Sequence, residues 1–98
     1  MLHMVVANHG PDTCAATVPT VAKIAKTGFQ QMGGLAKRLG ISVQGTWINI
    51  PAHAMYMLID APNAHAVCQL CRDIHLMDWN TVAVNPVISL QESIDLFQ

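Results

Sequence analysis

One short stretch constrains this chain more than any other. Pro51 to Asp60, PAHAMYMLID, is almost continuously apolar. A run that short and that apolar fits a strand covered on both faces. Asp60-Ala61-Pro62-Asn63 stops it, and Asn63 is placed to cap a helix opening at Ala64. The stretch therefore predicts a central strand that hands the chain to a helix. It carries one polar ring, His53, at its opening.

The remaining elements fall around that strand. Leu2 to His9 alternates as a first strand, with Leu2, Met4, Val6 and Asn8 on one face and His3, Val5, Ala7 and His9 on the other. Gly10-Pro11-Asp12 ends it, and Asp12 or Thr13 is placed to cap a short turn through Ala16. From about Thr20 to Leu39, Val21, Ile24, Ala25, Phe29, Met32, Leu35, Ala36 and Leu39 recur at helical spacing. Pro19 suits the first turn of that helix and Gly40 its stop. Gly33-Gly34 mark a kink or a close approach to the sheet.

Ile41 to Ile50 reads as a half-wet edge strand, with Ile41, Val43, Gly45, Trp47 and Asn49 on one face. The second helix runs from about Ala64 to His75. The last strand runs from Thr81 to Leu90, and Pro86 confines it to an edge. The order is β-α-β-β-α-β, a ferredoxin-like α+β pattern. Right-handed crossovers give an antiparallel sheet in the order 4-1-3-2, with the two most apolar strands central. Residues 1–90 form one domain. Residues 91–98, with Ile94, Leu96 and Phe97, form a short C-terminal helix or arm that docks on a neighbour.

Composition bounds the partners. The chain is 52% apolar and 11% charged, against an ordinary charged share of about 25%. So little polar surface calls for burial against another copy, and a homodimer is the default. A net charge of −1, with no basic cluster beyond Lys37-Arg38, speaks against nucleic acid. No apolar run reaches the roughly 20 residues a membrane span needs. MLHMVVANHG lacks the marks of a signal peptide. Three cysteines, an odd number, argue against a secreted disulfide framework. A cytoplasmic protein is the expectation.

The topology gathers polar side chains at one sheet end. His9 closes the first strand, His53 opens the third, His75 ends the second helix, and Asp12 and Cys14 follow the first strand. Imidazoles with a thiolate or carboxylate suit zinc, nickel or copper. The same group can act on a substrate instead, with His53 as base, or the rings can merely bond to loop carbonyls. The Cys68-x-x-Cys71 pair lies inside a helix, where Val67, Leu70, Cys71 and Ile74 form the buried side. Cys71 reads as a small core residue, and Cys14 as the most reactive thiol. Met55, Phe29, Trp47, Tyr56 and Trp79 either line a pocket for a small hydrophobic ligand or fill an ordinary core. Asn80 reads as a turn residue.

HAMYMLIDAPNAHAV, the first strand ending in His-Gly-Pro, and WNTVAVNPVISL resemble the dimeric α+β-barrel superfamily. The likeness lies nearest to small members beside antibiotic-biosynthesis monooxygenase-like, muconolactone isomerase-like and nickel-binding ferredoxin-like proteins. It implies two sheets packed face to face across a two-fold axis. The nickel-binding relatives imply metal ligation by His9 and His53. The monooxygenase-like relatives imply cofactor-free oxidation of an aromatic near Tyr56, Trp47 and His53. No Asn/His/Trp set for haem degradation is present. Three classes of function therefore stand: a metal- or ligand-binding module, a cofactor-independent monooxygenase or isomerase, and a structural subunit with no site.

Overall fold

A computed structural model describes residues 1–97. Its elements are β1 (Leu2–Asn8), a 3-10 turn (Pro11–Thr13), α1 (Pro19–Arg38), β2 (Ser42–Asn49), β3 (Ala54–Asp60), α2 (Ala64–Asp73), a second 3-10 turn (Leu76–Asp78), β4 (Thr81–Val87) and α3 (Leu90–Leu96). The four strands form one sheet in the order β2-β3-β1-β4, with every neighbour antiparallel. This is the ferredoxin-like α+β fold. Gln98, the last residue of the expected arm, lies outside the described residues.

The central strands carry the core. Val5 and Ala7 of β1 and Met57 and Ile59 of β3 are fully inaccessible. They meet Ala36 of α1 and Val67, Leu70 and Cys71 of α2 in one cluster. The side chains on the opposite sheet face follow from the pairing Val6↔Tyr56 and Met4↔Leu58. They lie outside that cluster and are only half-buried. Both helices thus cover one face, and the other stays apolar and open.

The helix ends follow their capping chemistry. Pro19 opens α1, and Gly40, at φ 69°, stands just past its end. The Asn63 side chain accepts from the Ala66 N–H at 2.9 Å and starts α2. Ser89 accepts from Glu92 N–H at 3.1 Å and starts α3. Leu90 and Leu96 of α3, and Phe97 just past its end, are more than 70% exposed.

Several local expectations are corrected. The first 3-10 turn has Gly10 as its cap and no side-chain cap, so neither Asp12 nor Thr13 plays that part. Ile24 is exposed rather than buried. Gly33 and Gly34 face open space, and α1 runs through them. The close approach is at Gly28, where a Cβ would strike the Ile74 carbonyl. β2 carries a bulge between Val43 and Gly45. The extra residue reverses the alternation beyond it. Val43 pairs with core-facing Ile59, but Trp47 pairs with Tyr56 on the open face and Ile48 pairs with Met55. The Trp47 indole lies over Gly45, where a Cβ would not fit. β3 opens at Ala54, so His53 ends the preceding turn instead of beginning the strand.

Candidate functional site

The site forms where β1 ends, β3 begins and β4 begins. Pairing of Asn8 with both Ala54 and Thr81 brings these three chain ends together. His9 follows β1 directly. Its backbone N–H donates to the His53 carbonyl at 3.1 Å.

His53 is placed by a tight turn. Its N–H donates to the Ile50 carbonyl at 3.1 Å, across Pro51 and Ala52. Pro51 pre-sets the turn. The Asn49 side chain accepts from Ala52 N–H at 3.1 Å and braces it. His53 leaves the turn at φ 52°, in the left-handed region. Cys14 ends the first 3-10 turn, and its carbonyl accepts from the Thr17 and Val18 N–H groups at 3.1 and 2.8 Å. Its side chain is 6% exposed.

His9, Cys14 and His53 each offer a donor atom, and these atoms lie within 4.8 Å of one another. The two imidazoles meet edge to face, 5.3 Å between centroids. Trp79 lies against His9 on another side at 5.1 Å. His9 Nδ1 is 2.8 Å from Asn80 Oδ1. His9 Nε2, His53 Nδ1 and Trp79 Nε1 are buried with no hydrogen-bond partner among the described residues. Buried polar atoms are ordinarily paired, so three in one place mark a site built for something else to fill.

A cavity of about 160 Å³ adjoins them. Its walls are largely apolar, with Phe29, Met55, Trp79, Ile48 and Ile50 among them, and no Asp, Glu, Lys or Arg lines it. An apolar engineered cavity of about 150 Å³ binds benzene. The space therefore takes a single ring or a compact aliphatic group.

The sequence expectations divide here. The structure brings His9, Cys14 and His53 together. It places His75 elsewhere: at φ 60°, exposed, with Nδ1 3.0 Å from the Asp78 carboxylate. Helix α2 ends at Asp73, and His75 follows in the left-handed region with its ring exposed and bonded to Asp78. Asp12 is exposed and outside the group. Tyr56 and Trp47 occupy the open sheet face, so the pocket expected from Tyr56, Trp47 and His53 is split across two faces. Cys71 is fully buried in the core, and burial, with Cys68 beside it, pushes its thiol up to about 11. Cys68 is half-buried and His65 exposed, as the helical period requires. Phe29, Met55 and Trp79 line the cavity, as three of the residues expected of a pocket. Asn80 is the site residue that sequence reasoning missed. The signal was its position just before β4, which runs antiparallel to β1 and so begins where β1 ends.

No protein-family model matches the chain, and none of the curated proteins matches it. Among solved structures the chain is similar to one titled "Crystal structure of antibiotic biosynthesis monooxygenase". That likeness has a TM-score of 0.48 and 12% identity, over 91% of this chain and 100% of the other. No helix among the described residues is long and apolar enough to cross a membrane.

Proposed function

We propose that His9, Cys14 and His53 bind a transition metal of the zinc, nickel or copper class, and that the adjoining cavity holds a small hydrophobic ligand beside it. The observation that carries this reading is the convergence of two imidazoles and a thiol within 4.8 Å, with a ring nitrogen of each imidazole buried and unpartnered. Two nitrogens and a sulfur are the donor set that borderline divalent ions prefer. Three protein ligands leave a fourth position open, the pattern of sites that act on a bound molecule rather than merely brace a fold. Loading deprotonates Cys14, so it strengthens as pH rises. The test is a titration with Co²⁺. A thiolate charge-transfer band that appears with wild type and vanishes in Cys14→Ser supports the site. Weak, purely aquo-like spectra in wild type remove it.

The ring-sized cavity favours a second reading. His53 acts as a base in cofactor-independent oxidation of a small aromatic by dioxygen, or in its isomerisation, with Nδ1 placed to take the proton. Tyr56 then has no part, since it faces away from the cavity. Turnover that survives chelation and dies in His53→Asn distinguishes this from the metal reading.

Self-association belongs to the same proposal. Met4, Val6, Tyr56 and Leu58 are half-buried and Trp47 is 56% exposed on one continuous sheet face. A second copy is the simplest cover for such a face. The exposed apolar residues of α3 add to the surface available for it.

A further inference from the structure

Asn80 is bonded at both ends of its side chain. Oδ1 lies 2.8 Å from His9 Nδ1, and Nδ2 donates to the Leu76 carbonyl at 3.1 Å. The Asn80 backbone N–H donates to that same carbonyl at 3.1 Å. A carbonyl only accepts, so the amide nitrogen must face Leu76 and the amide oxygen must face His9. An amide oxygen also only accepts, so His9 Nδ1 must carry the hydrogen. A neutral imidazole has one N–H, and Nε2 is left with its lone pair. That atom is buried and has no partner among the described residues.

We infer that Asn80 is a positioning residue that locks His9 in the Nδ1–H tautomer and so presents Nε2 as a permanent donor to the shared site. The role in the site rests on the metal reading above; the tautomer does not. Trp79 lies 5.1 Å from the ring and limits its rotation. Leu76, the anchor of the amide, is 1% exposed and therefore fixed in the core. Metal-binding histidines ordinarily donate their second nitrogen to such a partner, which sets tautomer and ring orientation. His53 has no such partner among the described residues and is held by its turn. The two imidazoles are thus fixed by different means, one through a side chain and one through the backbone.

The test is a long-range ¹H–¹⁵N correlation spectrum at about pH 8, above the ordinary imidazole range, on wild type, Asn80→Leu and Asn80→Asp. Wild type should show His9 with the hydrogen on Nδ1. Asn80→Asp should keep that tautomer, because a carboxylate oxygen in the same place still only accepts. Asn80→Leu should lose the tautomer, while Co²⁺ affinity falls about 10- to 100-fold. A hydrogen on Nε2 in wild type, or an unchanged tautomer in Asn80→Leu, overturns the inference whether or not metal binds. If Asn80→Leu does not fold, Asn80→Asp decides the matter, and a His9 hydrogen on Nε2 in that variant overturns the inference. The expected tautomers in a protein that takes up no Co²⁺ support the role of Asn80 and remove the metal reading alone.

Discussion

The backbone N–H of His9 donates to the carbonyl of His53 at 3.1 Å. This bond carries the β1–β3 pairing one step past Asn8↔Ala54. It places the two imidazoles side by side, edge to face. The spacing of the two backbone positions is therefore a property of the sheet, and side-chain substitutions at either position leave it in place.

That separation allows His53 to be changed without loss of the fold. At φ 52° its backbone suits asparagine or glycine better than alanine. Left-handed backbone costs an ordinary residue about 1–2 kcal/mol. His53→Asn is expected to unfold within about 1 kcal/mol of wild type while losing the ring. Denaturant titration checks this. A loss well beyond that figure would show that the imidazole itself holds the turn together.

Two kinds of glycine in α1 should respond in opposite directions. Gly28→Ala drives a methyl into the Ile74 carbonyl and should destabilise by about 1–3 kcal/mol. Gly33→Ala and Gly34→Ala meet only open space and should stabilise by up to about 1 kcal/mol each. Thermal midpoints of the three variants decide the point. A stabilising Gly28→Ala would contradict the packing of α1 on Ile74.

His3 is fully buried, and neither ring nitrogen has a partner among the described residues. It pairs across the sheet with Ile59 and Pro86, on the core side. An unmet buried polar group costs about 1–3 kcal/mol. His3→Leu, of similar bulk, is therefore expected to raise the denaturant midpoint. A fall in the midpoint would mean that the ring has a partner, such as a bound water, that offsets its burial.

The Cys71 thiol, pushed up to about 11 from an ordinary 9.0, makes the fold sensitive to alkali. Its folded value lies above its unfolded one. The stabilisation from keeping it neutral is thus fully present below about pH 9 and is lost as pH rises through about 11. The slope in that window reaches about 1.4 kcal/mol per pH unit. Cys71→Ala should flatten it. Denaturant melts of both proteins across that range check the sign, and an equal slope in the two would assign it elsewhere.

The sheet order and the identity of its central strands were legible because apolar runs, Pro86 and the cap at Asn63 all pointed to one topology. The meeting of His9 with His53 followed from that topology alone. The bulge at Gln44 was not legible, since one extra residue leaves the local pattern intact while reversing every face beyond it. It carried Trp47 to the open face, where Tyr56 already lies by the alternation of β3. His75 was misplaced for a related reason. α2 ends before Ile74, and the left-handed residue that follows turns the ring outward. Asn80 was passed over because a lone asparagine before a strand has an ordinary turn explanation. Only its two hydrogen bonds give it another.

The proposed site holds one metal ion on His9, Cys14 and His53. Elemental analysis with native mass spectrometry on untagged protein tests it most directly, with wild type beside His9→Ala/His53→Asn. About one ion of zinc, nickel or copper per chain in wild type, absent from the double variant at an unchanged oligomeric state, is the predicted result. Wild type that stays metal-free after incubation with each ion would contradict the claim and leave the cavity to an organic ligand alone.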